Sequence, residues 1–98
     1  MMEVVSVAIN DLFKALSDEN RRKILDLLRN GDLTAGEIAE HFEMSKAGIS
    51  QHLSVLKNAE LVYAIKRGQY VYYSLNSTVF QEVMKWIIQF HSKKEENL

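Results

Sequence analysis

Residues 34–58 read TAGEIAEHFEMSKAGISQHLSVLKN, and the spacing within this stretch decides the fold. Thr34 and Glu37 stand in the T-x-x-E relation of a capping box, in which the threonine oxygen takes a free helix amide and the glutamate reaches back to the threonine amide. The pair opens a short helix with Ile38, Ala39 and Phe42 on its inner face. Glu43 and Met44 form a turn. Ser45 then caps a longer helix from Lys46 to about Asn58, because its oxygen can accept from the first free amides. Ile49, Leu53 and Leu56 fall on one side of that helix, as a buried stripe does. At roughly 100° per residue, the opposite side presents Ala47, Gln51, Ser54 and Asn58, with Ser50 at its edge.

Upstream, Val5, Ala8, Ile9, Leu12, Phe13 and Leu16 recur at helical spacing and predict a helix ending near Ser17. The apolar start, Met2 to Ile9, carries Glu3, lacks a basic head and is followed by no small-residue cleavage site, so it reads as helix and not as a signal peptide. Ser17 and Asp18 cap a second helix that buries Ile24, Leu25 and Leu28 and leaves Arg21, Arg22, Lys23, Asp26 and Arg29 outside; Asn30 and Gly31 close it. Downstream, the period changes to two. Leu61-Val62-Tyr63-Ala64-Ile65 and Tyr70-Val71-Tyr72-Tyr73-Ser74-Leu75 are rich in β-branched and aromatic residues, and Lys66-Arg67-Gly68-Gln69 between them holds the glycine a tight hairpin needs. Asn76, Ser77 and Thr78 offer caps for a last helix whose apolar residues lie on more than one side, and residues 93–98 are expected to fray.

The expected fold is therefore mainly α with a small β-hairpin: four helices, of which the last two make a helix-turn-helix, then a two-stranded wing and a closing helix. At 98 residues this is one winged helix-turn-helix domain, residues 1–98. A hydrophobic content of 47% excludes a disordered chain, and no apolar run approaches the ~18 residues of a membrane span. There is no cysteine, which removes disulfides, thiolate zinc sites and thiol switches together and fits a cytoplasmic protein. The formal net charge is −1, but it is unevenly spread. Residues 1–44 hold nine acids and five bases, residues 45–81 one acid and four bases, and residues 82–98 three of each. Lys46, Lys57, Lys66 and Arg67 make the middle of the chain its only net basic part, the place for a polyanion to dock.

The chain resembles the ArsR-type winged-helix repressors from about Leu12 to Phe90. The matching pieces are Phe13-Lys14-Ala15-Leu16-Ser17-Asp18, Arg21-Arg22-Lys23-Ile24-Leu25, Ser50-Gln51-His52-Leu53-Ser54-Val55-Leu56, and Arg67-Gly68 followed by Tyr72-Tyr73-Ser74-Leu75. Family members often have proline at the position of Glu19 and glycine at that of Glu60. The metal-sensing members carry Cys-x-Cys in the helix that here reads Glu37-Ile38-Ala39-Glu40-His41-Phe42, so an arsenic or lead sensor is excluded. Within the family, the chain looks most like the metal-site-lacking autorepressors of toxin-immunity operons, the sporulation-delaying-protein repressor type. The resemblance implies a homodimer on an inverted-repeat operator, possible autoregulation, and no enzymatic activity.

A helix fits the major groove of double-stranded DNA, where each base pair shows its own donors and acceptors. Gln51 can pair bidentately with adenine, Ala47 can meet a thymine methyl, and Ser50 and Ser54 can serve base edges or phosphates. Ser45 and Lys46 at the helix start suit a phosphate, and Lys66 and Arg67 at the wing tip suit an adjacent minor groove. The competing readings are a solvated helix face, a hairpin tip charged for solubility, or a winged helix that binds only another protein. The clustering of Lys46, Lys66 and Arg67 around an amide-bearing face favours DNA. Tyr63, Tyr70, Tyr72 and Tyr73 could form a stacking platform, but alternation along the strands puts at least half of them in the core.

Val5, Ile9, Leu12 and Phe13 of the first helix, with Phe80, Trp86, Ile87 and Phe90 of the last, exceed what one small core can bury and are the expected dimer interface. Met84, Trp86, Ile88 and Phe90 also offer a patch for a regulatory protein partner. On the last helix and its tail only His91 and Glu95 have the i, i+4 spacing of a ligand pair, the upstream Asp-x-His of the family's histidine-type sensor site is absent, and no metal or other cofactor is expected. His52 falls on the inner flank of its helix and His41 on an exposed turn. No glycine-rich phosphate loop, H-E-x-x-H or G-x-S-x-G motif occurs, which argues against an enzyme.

Overall fold

A computed structural model describes the backbone of residues 2–96 and the side chains of residues 9–91. The chain starts with α1 (Met2–Leu16) and α2 (Glu19–Leu28). Asp18 alone caps α2, its carboxylate accepting the Arg21 amide at 3.1 Å, whereas the Ser17 hydroxyl turns back to donate to the Lys14 carbonyl at 2.6 Å. Ser17 therefore finishes α1 and does not begin α2, because its nearest free partners are the unpaired carbonyls of α1.

The same carbonyls explain a second departure from the sequence reading. Arg21 is half-buried, with Nε donating to the Ala15 carbonyl at 2.8 Å and a terminal nitrogen to that of Lys14 at 3.1 Å. Arg22 donates to the Leu16 carbonyl at 2.7 Å. Two adjacent cations thus satisfy the negative end of α1, the favourable place for them.

Next come β1 (Leu33–Thr34), α3 (Ala35–Ala39) and α4 (Lys46–Asn58). Both halves of the capping box form: the Glu37 amide donates to Thr34 Oγ1 at 3.1 Å, and the Thr34 amide to Glu37 Oε1 at 2.9 Å. α3 stops at Ala39, so Phe42 packs on the core from the turn, with the Lys23 ammonium 4.6 Å above its ring. Ser45 Oγ accepts the Gly48 amide at 3.1 Å and starts α4.

α4 ends in a Schellman arrangement, with the Glu60 amide on the Lys57 carbonyl and the Leu61 amide on that of Leu56, both at 2.9 Å. The motif needs a left-handed residue after the cap, and Glu60 supplies it at φ 63°. β2 (Val62–Arg67) and β3 (Tyr70–Leu75) follow, then α5 (Ser77–Glu96). Strand β2 runs on to Arg67, so Lys66 and Arg67 are strand residues and only Gly68 and Gln69 turn the hairpin. Of those two only Gly68 has a positive φ, 63°, the pattern of a II′ turn.

The wing has three strands, not two. β1 adds to β3 with Leu33 opposite Tyr73 and Thr34 opposite Tyr72, giving the antiparallel order β1-β3-β2. A helix-capping residue has extended backbone, and Thr34 at φ −79° and ψ 164° serves as cap and strand at once.

The core gathers Leu12 and Ala15 from α1, Ile24, Leu25 and Leu28 from α2, Ile38 from α3, and Ile49, Leu53 and Leu56 from α4, closed by Ala59, Leu61 and Val62. Of the tyrosines, Tyr63 and Tyr70 are exposed and Tyr72 and Tyr73 half-buried; only Tyr73 packs against this core. The alternation argument overstated their burial, because the far face of the small sheet is open to solvent. The α5 backbone is helical to Glu96, and residues 97 and 98 lie outside the described residues.

Candidate nucleic-acid interface

The outer face of α4 is built by its inner one. Ile49, Leu53 and Leu56 are at most 1% exposed, which fixes the rotation of the helix and turns Ala47, Ser50, Gln51, Ser54 and Asn58 to solvent. Together with half-buried Val55 these residues line one shallow groove. Ser45 and Lys46 are exposed at the N-terminal end, where the helix dipole and free amides favour an anion. The Ser45 oxygen already accepts the Gly48 amide, but its proton can still be donated outward.

The wing tip approaches the same end of α4. Lys46 shares a concavity with Ala35 and Gly36 of α3 and with Gln69, Tyr70 and Val71 of the hairpin. Lys66 is exposed. Arg67 is held more firmly: it donates to Asp32 Oδ2 at 3.0 Å and lies 5.3 Å from the centre of the Tyr72 ring. Asp32 and Gln69 were not singled out by sequence reading, and Tyr70 was weighed only as part of a stacking platform. Asp32 reaches Arg67 only because β1 pairs with β3, so no local signal marked it.

Behind the face, His52 is half-buried and its Nδ1 lies 3.3 Å from an Arg21 terminal nitrogen, which ties α4 to the α1–α2 corner. That proton sharing requires an unprotonated Nδ1. The Arg21 amide, ahead of the charge on that residue's side chain, holds the Asp18 carboxyl below the ordinary value of 3.8. His41 lies on an exposed turn.

The residues expected at a dimer interface divide. Leu12 is 2% exposed and belongs to the chain's own core, because α1 packs on α4 along that line. Phe80 is half-buried against the core, and Ile9 and Trp86 are half-buried. Phe13, Ile87 and Phe90 are exposed, and so are Met84 and Ile88. The Trp86 ring joins the two helices, 6.5 Å from Phe13 and 5.1 Å from Phe90 between centroids. Val5 and Glu95 lie outside the described side chains, the latter taking the His91–Glu95 pair with it. No three histidine or carboxylate side chains converge among the described residues, and no helix there is long and apolar enough to cross a membrane.

Comparison with known proteins adds to this geometry. The family described as "Bacterial regulatory protein, arsR family" matches residues 18–64, which span α2, the helix-turn-helix and the start of the wing. The transcriptional repressor SdpR of Bacillus subtilis (strain 168) is 53% identical over 90 residues, covering 92% of this chain and all of the relative. An arsenical resistance operon repressor of Staphylococcus aureus is 36% identical over 77 residues, 79% of this chain and 74% of the relative. Among solved structures, an ArsR-like transcriptional regulator from Rhodococcus sp. RHA1 superposes with a TM-score of 0.83 at 25% identity, over 95% of this chain and 88% of that one.

Proposed function

Since the chain belongs to the arsR family of bacterial regulatory proteins, whose members are transcriptional regulators and not enzymes, we propose that it represses transcription by binding double-stranded DNA as a homodimer on an inverted repeat. The observation that carries this reading is the outer face of α4: small and amide-bearing residues facing solvent, with Lys46 exposed at its start and, beside that end, the wing tip next to which Lys66 and Arg67 lie in the strand. Small side chains let the helix approach base edges. Gln51 at the centre reads an adenine, Ala47 meets a thymine methyl, and Ser50 and Ser54 bind base edges or phosphates. Ser45 and Lys46 hold a phosphate at the start of α4, and the wing cations neutralise the neighbouring backbone.

Release from DNA follows a protein partner or the protein's own concentration, and not a metal or oxidant. The motivation is a chain without cysteine, and the exposed Met84, Ile88 and Phe90 are available to such a partner. The test is a footprint on the DNA upstream of the protein's own gene. Protection of two half-sites related by a dyad is the expected result, and it would establish autoregulation as well. No protection at concentrations where the protein is folded and dimeric would overturn the reading in favour of a module that binds only protein.

A further inference from the structure

A third concavity lies along α2, on residues other than Arg21, which faces α4. It occupies about 570 Å³ between α2 and the first turns of α5. Leu25, Leu75, Phe80 and Met84 make its apolar floor and walls, Arg22 and Arg29 stand on the α2 side with Asp26 between them, and Ser77 and Gln81 border the α5 side. Its volume is in the range that accepts one small organic molecule, and an apolar body with a few directed polar groups is the usual make-up of such a site.

The charges select the occupant. Arg29 is only loosely engaged, 3.7 Å from Asp26 with both side chains about three-quarters exposed, and Arg22 commits one terminal nitrogen to the Leu16 carbonyl and keeps the other donors. Two guanidinium groups face one carboxylate, so the rim is net positive and lies beside a greasy floor. We propose that this groove binds a small amphipathic acid, a medium-chain or aryl carboxylate, with its tail over Leu25, Phe80 and Met84 and its carboxylate on Arg29 and Arg22. Guanidinium is suited to this, since its planar fork pairs two donors with two carboxylate oxygens.

The position gives the site a consequence. α2 is the wall shared with the recognition helix: Arg22 lines the groove, and Arg21 beside it contacts His52 of α4. Met84 lies one turn from Ile87 and Ile88 on α5, so an occupant also touches the helix that carries the exposed apolar strip. The ligand-binding claim itself stands apart from DNA recognition and is tested without DNA.

Decanoate below its micellar concentration serves as the probe, with decylamine as the matched cation, read by isothermal titration and by thermal melting of the full chain. Decanoate should bind one per protomer and raise the melting temperature, at least about tenfold more tightly than decylamine. Arg29→Gln, at an exposed residue, should weaken decanoate several-fold, and Met84→Glu, which sets a carboxylate in the groove, should abolish its binding. Equal affinity for acid and amine, or unchanged decanoate affinity in both folded variants, would overturn the proposal.

Discussion

Glu60 holds a backbone conformation that costs an L-residue roughly 1–2 kcal/mol, at φ 63°. The neighbours enforce it: Leu61 is fully buried, its amide is tied to Leu56, and the Glu60 carbonyl accepts from Asn76 Nδ2 at 2.8 Å. Glu60→Gly keeps every one of those bonds, since none of them uses the Glu60 side chain. Allowing for the looser unfolded chain, it should stabilise by about 0.5–1 kcal/mol, seen as a higher urea midpoint at unchanged slope. Asp18 gives a pH-dependent counterpart. Its folded pKa is depressed by the Arg21 amide first and by nearby positive charge second, so its contribution is complete above the unfolded value of 3.8 and is lost as pH falls through the lower folded one. Asp18→Ala should cost about 1 kcal/mol at pH 7, and the gap to the parent should narrow below about pH 4. For recognition, Gln51→Ala should cost ~1–3 kcal/mol and relax preference at one base pair per half-site. A library of single-base operator changes checks this, and a profile identical to the parent's would remove Gln51 from base reading.

Among the elements, the wing shows what a sequence can and cannot disclose. Caps were legible because both partners lie within four residues: Thr34 with Glu37, and Ser45 with Gly48. The register of α4 was equally legible, since three buried residues at helical spacing leave one choice of outer face. Strand β1 was hidden, because its partner Tyr73 lies in another part of the chain and two residues carry no periodicity. Arg21 misled for a related reason: its acceptors are carbonyls, which no side-chain pattern encodes. Leu12 was placed on the wrong side because the α1 stripe serves both the core and an outer surface, and spacing does not divide them. The hidden strand matters for function. It brings Asp32 to Arg67, so on the proposed reading the wing cation would meet DNA with part of its charge already neutralised. Asp32→Asn should therefore tighten binding to all DNA sequences alike by several-fold at low salt, while Arg67→Ala should weaken all alike and reduce the salt slope by about one. Anisotropy titrations at two salt concentrations measure both. Unchanged affinity in the pair would place the wing tip away from the backbone.

At the scale of the whole molecule, α5 is the element a single chain leaves unfinished. None of its described apolar residues is fully buried, and Ile87, Ile88 and Phe90 are between 50% and 63% exposed, with Phe13 of α1 at 45% beside Trp86. Apolar side chains gathered like this on neighbouring helices mark a surface that another body covers. A two-fold partner is the economical solution, because one self-complementary patch then covers both copies and leaves no open edge. It also has a geometric consequence. A dyad near α1 and α5 would set two copies of α4 facing successive major grooves, ~34–36 Å apart, so each such dimer would need two half-sites about one helical turn apart. Sedimentation at micromolar concentration should give a dimer, and Ile87→Lys, which puts a charge at an exposed position without touching the core, should give a folded monomer. That monomer should lose most of its affinity for the full inverted repeat while binding a single half-site about as weakly as the parent does. Inserting roughly half a helical turn, about five base pairs, between the half-sites should weaken the parent as severely as Ile87→Lys weakens the intact site. A monomeric parent that still holds the full repeat tightly, or a parent indifferent to the inserted spacing, would show that α5 is covered by something other than a second copy of this chain.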